Sequence, residues 1–93
     1  LFKVSFARLG VEFRFAKGDY VDSIESLIDE KTKAIYLEMI GNPEYNIPDV
    51  EKIVDLARKK DLPVIMDNTF AQGGDLFNPI DWGVNTVLHS ATK

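Results

Sequence analysis

The chain has no cysteine and one histidine, His89, which rules out a disulfide scaffold, thiol chemistry and any zinc site built on several histidines or cysteines. It has no apolar run near the roughly 20 residues of a membrane span, and no positively charged leader ahead of an apolar stretch. It also lacks a basic stripe. Eleven Lys and Arg stand against fifteen Asp and Glu, for a formal charge of −4, so neither nucleic acid nor an anionic membrane is expected as a partner. The missing thiols fit a cytoplasmic location, which is the expectation here.

What remains is a globular composition: 93 residues, 45% hydrophobic and 28% charged. That length holds at most one modest domain, and a domain of this size standing alone buries too little surface to be very stable. The first residue is Leu1 rather than methionine. The opening "LFKVSFARLG" reads as the tail of a helix, with Phe2, Phe6 and Leu9 on one stripe and Gly10 placed as its stop. The chain is therefore expected to be a piece of something longer.

After Gly10, "VEFRFA" alternates apolar and charged residues, the period of a strand with one buried face near a sheet edge. "KGDY" turns the chain, and Val21, Ile24, Leu27 and Ile28 form a helical stripe that Asp19 or Asp22 is placed to cap. "KAIYLEMI" (33–40) is more continuously apolar, as expected for a strand covered on both faces, and it ends in the loop "GNPEYNIP". The next helix opens at Pro48, with Asp49 and Glu51 at its positive end, Arg58, Lys59 and Lys60 at its negative end, and Val50, Ile53, Val54 and Ala57 as its buried stripe. "LPVIMD" (62–67) and "VNTVLH" (84–89) are the third and fourth strands. The connection between them is rich in Gly and Pro, with a single turn expected at Asn78 and Pro79. This alternation predicts an α/β fold, a mostly parallel sheet with flanking helices. Ligands of such sheets bind beyond the carboxyl ends of the strands.

Three of those ends carry polar groups. Asp67 emerges from an apolar run that includes Val64, Ile65 and Met66, where an unpaired charge is costly and a cationic partner is expected. Ser90 and Thr92 flank Ala91, an arrangement of hydroxyls and backbone N–H groups suited to a phosphate, and Lys93 beside them can bind the same anion or serve as a nucleophilic amine. Plainer readings stay open. Asp67 can be a turn residue bonding its own backbone, Ser90 and Thr92 can be ordinary turn hydroxyls, and Lys93 can be a solvated terminal residue. His89 is expected to pack beside the site and Trp82 to pack in the core or against a loop, while Glu38 either pairs with a charge or faces solvent.

Taken together, "GNPEYNIPDVEKI", "PVIMDNTFAQGG" and "VLHSATK" resemble the trans-sulfuration, or Cys/Met metabolism, family of pyridoxal 5′-phosphate enzymes. The resemblance runs over nearly the whole chain and is closest from Glu38 to Lys93. It implies a fold type I (aspartate-aminotransferase-like) large domain, of which residues 1–93 would be the central, incomplete portion. Residue by residue, Lys93 matches the lysine that forms the Schiff base with the cofactor, and Asp67 matches the carboxylate that pairs with the pyridine nitrogen. Ser90 and Thr92 match phosphate-binding hydroxyls, and Asn42 matches an asparagine near the cofactor ring or the substrate carboxylate.

Within that family the wording is most similar to the O-acetylhomoserine sulfhydrylase branch. This implies a transferase of methionine biosynthesis that makes homocysteine and acetate from O-acetylhomoserine and sulfide. The partners implied are a small amino-acid substrate, sulfide and further copies of the chain in a dimer or tetramer, with each site completed by residues outside this stretch. The alternatives are the sister activities of cystathionine γ-synthase, cystathionine lyase or methionine γ-lyase. A different class is a non-catalytic or phospho-acceptor module with Asp67 as the acceptor.

Overall fold

The computed structural model describes residues 2–16, 21–38, 48–69 and 78–92. Its centre is one helix laid on one face of a three-stranded parallel sheet. In chain order the elements are α1 (Val21–Glu25), β1 (Ile35–Glu38), α2 (Val50–Lys59), β2 (Val64–Asp67) and β3 (Thr86–Leu88). The strands are ordered β1-β2-β3, and all are parallel.

Helix α2 forms where its sequence demands it. The Asp49 carboxylate accepts the Lys52 backbone N–H at 3.2 Å, which satisfies one of the donors left unpaired in the first turn. Asp49 is thus the cap itself, and Pro48 precedes it. The stripe Val50, Ile53, Val54, Leu56 and Ala57 is buried. Most of it packs with Ile35, Leu37, Val64, Met66 and Val84 in a single core, to which Val21, Ile24 and Ile28 of the α1 region and Val87 of β3 are joined. At its far end Asp61 takes a left-handed φ of 55°. The Leu62 N–H reaches the Ala57 carbonyl (2.8 Å) and the Asp61 N–H the Arg58 carbonyl (3.2 Å), the paired closure that usually has glycine at its turning point. Gly10 makes the same closure on the first segment, where Val11 N–H bonds Phe6 O and Gly10 N–H bonds Ala7 O, both at 3.1 Å. The helix stop expected at Gly10 is therefore present, although the segment before it winds as a π turn (Phe2–Phe6) and a 3-10 turn (Ala7–Leu9).

One expected strand is absent. Residues 11–16 run without sheet pairing, and the described residues form three strands rather than four. The alternation in "VEFRFA" is used differently. The Phe13 ring packs on Phe6, with centroids 5.5 Å apart. Arg14 bonds Glu12 (3.0 Å), Asp29 (2.9 Å) and the Leu27 carbonyl (2.9 Å), which ties the segment to the α1–β1 connection. Helix α1 is also shorter than its apolar stripe, ending at Glu25. Asp22 lies inside its first turn, and Asp19 lies outside the described residues.

The turn Pro79–Trp82 supplies the approach to β3, starting where Asn78 and Pro79 were expected to begin one. Gly83 closes it at φ 96°, and a Cβ there would meet the Arg58 guanidinium and lie 3.0 Å from Val54 Cγ1. Asn85 then fixes the register. Its side-chain Oδ1 accepts the Val64 N–H at 2.8 Å, and its own N–H donates to the Val64 carbonyl at 3.0 Å. Among the described residues no helix is long and apolar enough to cross a membrane.

Replacing Gly83 with alanine should destabilise the full-length protein by about 1 kcal/mol or more, chiefly through its left-handed backbone, since the Arg58 guanidinium can swing aside and only Val54 Cγ1 must give slightly. A thermal midpoint unchanged from that of the parent would show that the turn relaxes freely.

Candidate functional site

Parity along the strands decides what reaches the site. Ile35 and Leu37 of β1 and Val64 and Met66 of β2 are buried, so their neighbours Tyr36, Glu38, Ile65 and Asp67 take the opposite face of the sheet. In the parallel register Glu38 pairs with Asp67 and Asp67 with Leu88, so the last residues of the three strands end in one row. The carboxyl ends of the sheet are therefore level, and the polar groups that follow β2 and β3 start from adjacent positions.

Asp67 is held from two directions. Two residues on, Thr69 bonds the same carboxylate oxygen twice: its backbone N–H donates to Oδ1 at 3.0 Å and its hydroxyl donates to Oδ1 at 2.5 Å. From β1, the Tyr36 hydroxyl, one step diagonal in the register, is also hydrogen-bonded to Asp67. Burial pushes the Tyr36 phenol above its ordinary value, and the negative charges of Asp67 and Glu38 and the bond to Asp67 act in the same direction. The cationic partner expected for Asp67 is not found among the described residues, where its partners are hydroxyls and an amide. The turn-residue reading of Asp67 is realised as well, because the Thr69 N–H bond is an Asx turn.

Beyond β3, the Ser90 and Thr92 hydroxyls lie 2.8 Å apart and exposed, in the turn that the sequence suggested. The Ser90 N–H donates to the Thr69 hydroxyl oxygen at 2.9 Å, and the Asn68 N–H donates to the Leu88 carbonyl at 2.9 Å. The structure thus joins Asp67, Ser90 and Thr92 in one hydrogen-bonded group. Lys93 and Asn42 lie outside the described residues. His89, expected to pack, is exposed: it follows the short β3, whose outer positions are themselves exposed. Trp82, expected to pack in the core or against a loop, is 48% exposed and so lies outside the core. Glu38 is exposed at the end of β1.

Sequence reasoning missed Thr69 and Tyr36. A signal existed for Tyr36, since alternation puts it on the same strand face as Glu38. For Thr69 only the Asp-x-Thr spacing hinted at an Asx turn, because its other partner is 21 residues away.

The chemistry of this edge suits a ligand that is cationic at one end and anionic at the other. The row of Glu38 and Asp67 favours a positive group, and the hydroxyl pair with its turn amides favours a phosphate. Pyridoxal phosphate, with a protonated ring nitrogen and a phosphate ester, has both, so the residues present fit it.

Over residues 1–93 the sequence matches the family described as Cys/Met metabolism PLP-dependent enzyme. The chain belongs to this family. Among curated relatives of this PLP-dependent family, the homocysteine/cysteine synthase of Kluyveromyces lactis is 59% identical over 92 residues, which cover 99% of this chain and 21% of that protein. The O-acetyl-L-homoserine sulfhydrylase 1 of Thermus thermophilus is 47% identical over 93 residues, covering 99% of this chain and 22% of that protein. A solved Campylobacter jejuni structure, assigned as an O-acetylhomoserine (thiol)-lyase and carrying a pyridoxyl-lysine monophosphate, superposes with a TM-score of 0.86 at 37% identity; the match covers 97% of this chain and 22% of that one. The chain thus spans about a fifth of the length of the relatives it matches. The family's fold is the α/β arrangement with a parallel sheet described above, and its cofactor is pyridoxal phosphate.

The Tyr36–Asp67 contact sets a pH expectation. The folded phenol titrates above the unfolded value of about 10, so its stabilising bond is intact below that pH and is lost as pH rises through the higher folded value. The ultraviolet phenolate signal that Tyr36→Phe removes from the full-length protein should therefore emerge above pH 10, and Asp67→Asn should move it down. Emergence at pH 10 with no response to Asp67→Asn would break the link.

Proposed function

We propose that the full-length protein is a pyridoxal-phosphate-dependent transferase that converts O-acetylhomoserine and sulfide to homocysteine and acetate. In this reading residues 1–93 are the central portion of its cofactor-binding domain, and it works in the cytoplasm as a homo-oligomer, a dimer or tetramer. The observation that carries the reading is the convergence of the Asp67 carboxylate with the Ser90–Thr92 hydroxyl pair at one level sheet edge. The choice of substrate is supported by the names of the relatives at 59% and 47% identity.

Pyridoxal phosphate, when bound, supplies a sink for the electron pair left as a substrate Cα–H bond breaks. The chain's residues do the rest. Asp67 would hold the ring nitrogen, its carboxylate favouring the protonated, cationic form there. Ser90 and Thr92 would bind the phosphate through their hydroxyls. Lys93 would hold the cofactor through its amine and, when that amine is free, would carry protons between the substrate α and β carbons. Acetate leaves the substrate γ carbon, and sulfide forms the new C–S bond there. Asn42 orients the ring or the substrate carboxylate.

Assay of the full-length protein should yield homocysteine from O-acetylhomoserine plus sulfide at rates well above its action on cystathionine or methionine. The reverse ranking would move the protein to one of the sister activities. Borohydride treatment should fix a pyridoxyl group on Lys93 in the peptide map; a colourless protein with unmodified Lys93 would favour the phospho-acceptor class. Asp67→Ala should lower kcat/KM at least 100-fold, about 3 kcal/mol of transition-state stabilisation, with a much smaller fall in thermal stability. Equal losses of both would make Asp67 a structural residue only.

A further inference from the structure

The hydroxyl of Thr69 has one proton to give and lone pairs to receive. The Ser90 N–H can only donate, so at 2.9 Å the Thr69 oxygen must accept, and its own proton is then directed to Asp67 Oδ1 at 2.5 Å. The polarity of this relay is fixed from end to end: Ser90 amide to Thr69 hydroxyl to Asp67 carboxylate. A carboxylate offers about four acceptor positions. Thr69 fills two of them, both on Oδ1. The other end of the relay is the first residue of the turn whose hydroxyls, Ser90 and Thr92, lie 2.8 Å apart.

We propose that Thr69 is a positioning residue that couples the two ends of the cofactor site, its single hydroxyl setting both the orientation of the Asp67 carboxylate and the place of the Ser90–Thr92 turn relative to it. This rests on the pyridoxal-phosphate reading of the site and goes beyond it, because the hydroxyl belongs to neither anchor and touches both. Loss of the hydroxyl frees the carboxylate to rotate and leaves the Ser90 amide without its acceptor. The consequence is felt at the ring nitrogen and at the phosphate together.

The test uses the full-length apoprotein and the binding of added pyridoxal phosphate. Thr69→Val keeps the shape and the backbone bond but removes the hydroxyl, and it should raise the cofactor Kd at least tenfold; Thr69→Ser should stay within about threefold of the parent. The Val penalty should shrink at least threefold both with an analogue bearing carbon in place of the ring nitrogen and with pyridoxal lacking the phosphate. A Val variant within threefold of the parent, a Ser variant as weak as Val, or the same Val penalty for all three ligands would overturn the coupling. Amide hydrogen exchange provides a check that does not depend on how well Thr69→Val folds. In Asp67→Ala the Ser90 amide should exchange at least tenfold faster, while the Asn68 amide, bonded to Leu88, holds its rate; equal changes at both would refute the relay. Failure of the parent apoprotein to take up pyridoxal phosphate would overturn the functional reading, and the coupling with it.

Discussion

The burial of α2 on one face of the sheet is the constraint on which the remaining features depend. Ile53, Val54 and Ala57 sit against Val64 and Met66 with almost no solvent contact. Once the even-numbered residues of β2 are fixed inward, strand geometry leaves no choice for the odd ones. Asp67 must stand on the open face, with Tyr36 beside it, and a slip of one residue would drive that carboxylate into the core, where an unpaired charge is prohibitively costly. The apolar contact therefore specifies where the charged chemistry can be, although it contributes nothing to that chemistry directly.

Parallel pairing contributes the second half of the arrangement. In an antiparallel sheet neighbouring strands would present opposite ends to any one edge; here Glu38, Asp67 and Leu88 share a row. Short continuations past that row suffice to bring Thr69 and Ser90 into hydrogen-bonding distance, although they are 21 residues apart in the chain. The Thr69–Ser90 bond works in concert with the backbone bond between Asn68 and Leu88, so the continuations after β2 and β3 are tied twice.

Much of this was legible in the residues. Helix α2 carried its own cap, stripe and charged ends, and the Gly10 stop was legible from one glycine after a spaced apolar set. Asp67, Ser90 and Thr92 stood out because parallel alternation brings the ends of their strands to one edge, although each alone could have been a turn residue. The strand expected at 11–16 shows where local reading fails: alternation reports that a segment has two faces, not that a neighbour exists to pair with it, and Arg14 uses those faces to bind the α1–β1 connection instead. His89 was misjudged because the apolar run before it suggested cover that β3 lacks, its outer positions being exposed. Thr69 was legible only by half: its bonds to Asp67 are local and follow from the Asp-x-Thr spacing, whereas its bond to the Ser90 amide joins residues that no short window along the chain contains together.

Asn85 gives a last consequence. It mimics a peptide group, using a side-chain carbonyl to receive the Val64 N–H while its own backbone returns a bond to the same residue. Only the carbonyl oxygen takes part through the side chain, so an aliphatic residue there would leave the Val64 N–H without this acceptor and keep only the backbone half of the clasp. The start of the β2–β3 pair is therefore held by one residue acting as two, a side-chain acceptor and a main-chain donor at the same partner.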